Sequence, residues 1–256
     1  MTTTTVLKLG GSVVTDKAAP ETVDDEALDD AVEAVAEALG SGDGDETDAH
    51  RLVLVHGGGS FGHHHAARHG VSDTDGTRDA EAAFAVHDAM RRLNDAVVTR
   101  LHEAGVDALP VHPLSAATRD AEARLSLPLD PTATMLAEGF VPVVQADMIP
   151  HAGSGSTVLS GDELVTTLAR GLDADRVGLC STVPGVLDAD GAVVPEITAF
   201  EDVRDVLGGS DATDVTGGMA AKVRALLELG APAHVFGPDA LAAFLAGEDA
   251  GTVIRG

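Results

Sequence analysis

Short apolar runs alternate with amphipathic stretches along most of the chain. Residues 6–9 are an apolar run that stops at Gly10-Gly11-Ser12, and residues 24–39 then place Leu28, Val32, Val35 and Leu39 at helical spacing. That reads as a strand, a glycine turn and a helix. After a glycine-rich, acidic surface stretch at 40–48, residues 52–55 form a buried-type strand that runs into His56-Gly57-Gly58-Gly59-Ser60. The pattern then predicts a long helix over 78–104, with Phe84, Met90 and Val97 among its apolar positions, and a strand over 106–111. Further strands are predicted at 141–144, 176–180, 233–236 and 252–254. Between them, residues 145–159, broken by Pro150, read as a hairpin, and an Asp-Gly turn is expected within 188–194. Ser160-Gly161-Asp162-Glu163 has the S-x-x-E form of a reciprocal helix cap, and Val215-Thr216-Gly217-Gly218 opens a helix that Gly230 ends.

Strands separated by helices of ten or more residues predict an α/β fold, a three-layer αβα sandwich with a largely parallel open sheet. No linker, tandem repeat or low-complexity tract divides the chain, so residues 1–256 are expected to form a single domain.

Charge narrows the possible partners. The chain carries 42 acidic and 16 basic residues, a formal charge of −26, and such a field repels nucleic acid and anionic membrane surfaces. With 44% hydrophobic residues, the charge must coat a packed protein. The start of the chain reads as neither signal peptide nor membrane anchor, and the single Cys180 suits a reducing cytoplasm. Many carboxylates, few aromatics and almost no lysine fit a surface adapted to concentrated salt, where screening suppresses self-repulsion.

The scarcity of lysine is the sharper clue. Only Lys8, Lys17 and Lys222 exist, against thirteen arginines, and all three flank glycine turns. Lys8 precedes Gly10, Lys17 follows Ser12, and Lys222 lies about one helical turn beyond Gly218. Glycine turns at strand ends let backbone N–H groups approach an anion, and a compact ammonium supplies a point charge that guanidinium does not replace. The combination suits a phosphoryl group in transfer, because such chemistry is positioning plus stabilisation of negatively charged oxygens.

Lys8-Leu9-Gly10-Gly11-Ser12, His56-Gly57-Gly58-Gly59-Ser60-Phe61-Gly62-His63, Ser160-Gly161-Asp162 and Asp214-Val215-Thr216-Gly217-Gly218-Met219 with Lys222 resemble, in order, the amino acid kinase superfamily and specifically its isopentenyl phosphate kinases. The resemblance implies ATP-dependent phosphorylation of isopentenyl phosphate, with Mg2+ accompanying ATP, by a homodimer. It implies an acceptor-binding N-terminal part and a nucleotide-binding C-terminal part. Lys8 and Gly10, Gly11 and Ser12 would hold the transferring phosphate, and Lys17 would stabilise the transition state. Gly58 and His63 would hold the acceptor phosphate, with Gly161 also facing the acceptor and Gly59 facing the nucleotide. Asp162 would organise the lysines or the metal, while Thr182, Gly218 and Lys222 would line the nucleotide side. The chain departs from the family pattern at Gln145-Ala146-Asp147 and in the loop Thr182-Val183-Pro184-Gly185-Val186-Leu187.

Other readings stay open at this stage. The acceptor could be another small phosphate, a phosphonate such as fosfomycin, or a carboxylate, and the same scaffold could serve as a nucleotide sensor or anion store. His63-His64-His65 invites a metal, but consecutive side chains diverge and are not expected to share one ion. His56 and His87 are read as ordinary satisfied or partly exposed histidines, Phe84 and Met90 as core packing, and Cys180 as a packed thiol. The surface reading makes a direct prediction: melting temperature should rise across a series from dilute buffer to molar potassium chloride, and a salt-independent melt would contradict it.

Overall fold

The computed structural model describes residues 2–40, 50–207 and 218–256. Most of the acidic 40–48 stretch and the 214–217 part of the third glycine motif lie outside the described residues. The elements run β1 (Thr3–Leu9), α1 (Gly11–Val14), α2 (Asp25–Gly40), β2 (His50–His56), α3 (Gly59–His69), α4 (Ala80–Glu103) and β3 (Ala108–Val111). They continue through β4 (Thr118–Arg119), β5 (Leu125–Ser126), α5 (Asp130–Ala137), β6 (Val141–Gln145), β7 (Asp147–His151), β8 (Gly155–Leu159) and α6 (Gly161–Gly171). The last part comprises β9 (Arg176–Cys180), β10 (Glu196–Ile197), α7 (Arg204–Leu207), α8 (Gly218–Leu227), β11 (Ala233–Phe236), α9 (Leu241–Leu245) and β12 (Thr252–Ile254).

Eight strands form the main sheet in the order β10-β12-β11-β9-β1-β2-β6-β3. Pairing is parallel from β11 through β3, and β12 joins β11 antiparallel, so the reversal is confined to one edge. Period-two alternation divides the side chains between two apolar layers. Leu7, Leu9, Leu52 and Leu54 pack with α2, α4 and α9, while Val6, Val53 and Val55 pack with α5, α6 and α8. The resulting three layers are those the alternation of elements predicts. Parity also places Lys8, two residues from Val6, on the α6 face of the central strand.

A second, four-stranded sheet, β5-β4-β7-β8, stands beside the first and was not anticipated beyond the 145–159 hairpin. That hairpin is β7 paired antiparallel with β8. β4 and β5 are two residues each, too short to produce an alternation in the sequence. The segment after Gly58, anticipated only as a turn, continues as α3. The Asp-Gly turn is present, with the Asp188 carboxylate accepting from the N–H groups of Asp190 and Ala192.

The first two glycine motifs meet at the carboxyl ends of β1 and β2. Gly11 presses against Gly59 so closely that a Cβ on Gly11 would fall 2.0 Å from the Gly59 nitrogen. Gly59 itself sits at φ +47°, in the left-handed region glycine tolerates. The crossing is bolted by Thr15, whose hydroxyl donates to the Gly11 carbonyl at 2.7 Å and accepts from the Ser60 N–H at 3.0 Å. Since the colliding atoms are backbone, they cannot swing aside. A Gly11→Ala variant should lose roughly 2–3 kcal/mol of stability, the upper end of overpacking costs, seen as a fall in melting temperature of several degrees.

Candidate active site

Beyond the carboxyl ends of β1, β2 and β9 lies a cavity lined by the starts of α1, α3 and α6 and by Thr182 and Lys222. Two of those helices begin on glycine, Gly10 before α1 and Gly58 before α3, and neither has a side-chain cap. At α1 the N–H groups of Gly11 and Ser12 are suited to oxygens of an anion, whereas at α3 the Ser60 N–H is taken by Thr15 and those of Phe61 and Gly62 by the Gly58 carbonyl.

Two lysines meet one carboxylate in this cavity. Lys8 Nζ donates to Asp162 Oδ1 at 2.6 Å, and Lys222 Nζ lies 3.5 Å from Asp162 Oδ2. Lys8 comes from the central strand, Asp162 from the first turn of α6 and Lys222 from α8. Ser160 caps α6 by accepting from the Glu163 N–H at 3.2 Å, which fixes the turn that presents Asp162. Only this half of the expected reciprocal cap forms, because the Glu163 carboxylate turns instead to Arg119. Burial pushes the Asp162 carboxyl up, but the Lys8 and Lys222 ammonium groups outweigh it and hold the group below its ordinary value. Gly161 leaves room for this geometry, since a Cβ there would approach Lys8 Cε to 3.1 Å.

The other arm of the cavity is apolar. Val71, Val86, Met90 and Ala146 line it and belong to a buried cluster between α3, α4 and β7. His63 is exposed and stands on the cavity wall beside Gly58. Asp147, 1% exposed, lines the same cavity. Its carboxylate accepts from His87 Nδ1 at 2.8 Å, Leu114 N–H at 3.2 Å, Gln145 Nε2 at 3.3 Å and its own neighbour Met148 N–H at 2.8 Å. The hydrogen bond that His87 donates to Asp147 is the main cause that raises its imidazole above its usual range. Asp147 was visible in the sequence only as part of an unusual tripeptide.

Of the residues singled out from sequence, Lys8, Gly10, Gly11, Ser12, Gly58, His63, Gly161, Asp162, Thr182 and Lys222 all line this one cavity. Three do not. Lys17 is exposed on the turn that follows α1, where neighbouring Glu21, at φ +51°, is held by Arg92 and His65. Those partners hold the Glu21 carboxyl down to about 2. Gly59 is buried against Gly11 and Thr15, and Gly218 opens α8 at φ +65° without itself being among the lining residues. The three adjacent histidines diverge on α3, with His63 on the cavity and His65 on Glu21.

Met90 is buried yet walls the cavity, whereas Phe84, expected in the core, is 62% exposed. The helix turns Phe84 outward, six residues before Met90. His56 is fully buried, with Nε2 3.0 Å from Asn94 Oδ1, and Cys180 is buried with its thiol pushed up to about 12 by desolvation. Sequence reading missed Asp147 and Arg119 as site-shaping residues and read Glu163 only as half of a helix cap, because the contacts Arg119–Glu163 and His87–Asp147 form only across the fold.

Residues 3–236 match the model of the amino acid kinase family. The chain is 67% identical over 251 residues to the isopentenyl phosphate kinase of Haloferax volcanii, covering 98% of each chain. It is 31% identical over 225 residues to the isopentenyl phosphate kinase of Methanocaldococcus jannaschii, covering 86% of this chain and 85% of that one. A solved structure described as isopentenyl phosphate kinase superposes with a TM-score of 0.80 at 26% identity, covering 98% of this chain and 100% of the other.

The Asp162 geometry sets an acid limit. A carboxyl held below its ordinary 3.8 contributes stability in full above that value and loses it as pH falls through the lower folded value. Acid titration of unfolding should therefore show a shallower low-pH limb in Asp162→Asn than in the native chain. A glycine-framed anion cradle, two ammonium groups converging on one carboxylate and these similarities together establish that the chain belongs to the amino acid kinase family.

Proposed function

We propose that the protein transfers the γ-phosphoryl group of ATP to isopentenyl phosphate, releasing ADP and isopentenyl diphosphate. The observation that carries this reading is a single cavity with two arms, one holding the Lys8–Asp162–Lys222 cluster and the other walled by Val71, Val86, Met90 and Ala146. A phosphate monoester with a short hydrocarbon tail matches both arms, and the names of the Haloferax and Methanocaldococcus relatives support it.

An oxygen of the acceptor phosphate attacks the γ-phosphorus in line, the bond to the β-phosphate oxygen breaks, and ADP leaves with that electron pair. No general base is required, since the attacking oxygen is already anionic at neutral pH. Lys8, with the N–H groups of Gly11 and Ser12, faces the transferring group, Gly10 shapes the turn with its own N–H held by the Cys180 carbonyl, and Lys222 with Thr182 and Gly218 serves the nucleotide side. Gly58 and His63 hold the acceptor phosphate, with Gly161 beneath it. Lys17 reaches the transferring oxygens from its exposed turn, and Gly59 supports the nucleotide loop indirectly through Gly11.

Mg2+ fits as a companion of the nucleotide. Asp162 is engaged by two ammonium groups and Asp147 by four donors, and no group of three or more metal-binding side chains occurs among the described residues. The cation's ligands would be phosphate oxygens and water, and it would neutralise charge on the nucleotide. Among the described residues no helix is long and apolar enough to cross a membrane. A salt-rich cytoplasm is supported by the −26 charge and the lone cysteine, and a homodimer rests on the family resemblance.

An ADP-release assay in high salt with isopentenyl phosphate, fosfomycin and glutamate side by side tests the reading. Turnover should be fastest with isopentenyl phosphate, and preference for either other acceptor would overturn that choice. In the same assay His63→Ala should raise acceptor KM and cut turnover while sparing ATP binding, and Lys17→Ala should lower kcat by about 100-fold with little change in KM, as for a group acting only in the transition state.

A further inference from the structure

Arg119 lies outside every glycine motif and does not itself line the cavity, yet its side chain is only 5% exposed. It stands on β4 of the second sheet, and its guanidinium grips the Glu163 carboxylate with both Nη atoms, Nη2 reaching Oε2 at 2.6 Å. The same Nη2 donates to the Val158 carbonyl at 3.2 Å. Val158 belongs to the end of β8 and Glu163 to the first turn of α6. One side chain thus holds both ends of the four-residue span 159–162. Ser160, Gly161 and Asp162 of that span line the cavity, and Asp162 is the carboxylate on which Lys8 and Lys222 converge.

We propose that the Arg119–Glu163 fork is a positioning device for phosphoryl transfer, fixing the 159–162 span so that Asp162 holds both ammonium groups in register. The inference rests on the kinase reading for its chemistry, but the geometry it describes does not depend on the acceptor. A forked, two-oxygen grip constrains a helix start in rotation as well as position, which a single ammonium or a neutral amide cannot do. The fork also explains why Glu163 leaves the reciprocal cap half made. Arg119 Nε is buried and has no hydrogen-bond partner among the described residues, a cost tolerated in exchange for that orientation.

Four variants test it, with Asp162→Asn as the reference background: Arg119→Lys and Glu163→Gln alone, and each combined with Asp162→Asn. With isopentenyl phosphate, both single variants should lose about tenfold in kcat while acceptor KM stays within about threefold, the split expected when only transition-state contacts are disturbed. In the Asp162→Asn background the same changes should cost almost nothing further, because they act through that carboxylate. A folded Arg119→Lys with native kcat, or an equal loss in both backgrounds, would overturn the proposal.

A second readout needs no turnover. The chain's three lysines allow competitive acylation to be followed by mass spectrometry, with exposed Lys17 as internal standard. In Glu163→Gln, modification of Lys8 and Lys222 relative to Lys17 should rise about threefold as Asp162 loosens. An unchanged ratio would overturn the fork's role even if the native chain proved inactive toward isopentenyl phosphate, an outcome that would sink the functional reading alone.

Discussion

The organising constraint is the sharing of one aspartate by two ammonium groups. Two lysines without a partner would repel each other across the cavity, and a lone carboxylate there would repel phosphate. Together they leave one unit of positive charge, directed and partly dry, inside a molecule whose formal charge is −26. Electrostatic interactions strengthen where water is excluded, so this small excess outweighs the distant acidic surface for an anion that reaches the cavity. The central strand, α6 and α8 each deliver one member, and the three-layer packing keeps them in reach of each other.

Much of this was legible in the sequence because the signals are periodic or rare. The apolar run at residues 6–9, stopping at a glycine pair, marked the strand, and rarity of lysine marked Lys8 and Lys222, which do meet at Asp162. Lys17 carries the same signal, but the turn that bears it bulges outward, and its anchoring depends on Glu21, Arg92 and His65 from three separate segments. Spacing along a chain says little about where an exposed loop points.

The second sheet and the Arg119 fork were not legible for a related reason. Strands of two residues have no periodicity, and Arg119 sits in a polar stretch that resembles an ordinary surface loop. Its burial comes from distant segments folding over it. Gly59 and Phe84 show the opposite error, in which a local motif was clear but its direction was not. Gly59 packs against its neighbouring motif, and Phe84 falls on the outward side of a helix whose inner side Met90 occupies.

The contact between Gly11 and Gly59 has a mechanical corollary. With two main chains touching and Thr15 bonded to both, the floor under the two substrates behaves as a single rigid slab rather than as two independently mobile loops. Separation between the reacting centres is then set by backbone thickness. Whatever breathing lets products escape must come from the rim and roof of the chamber, never from its base.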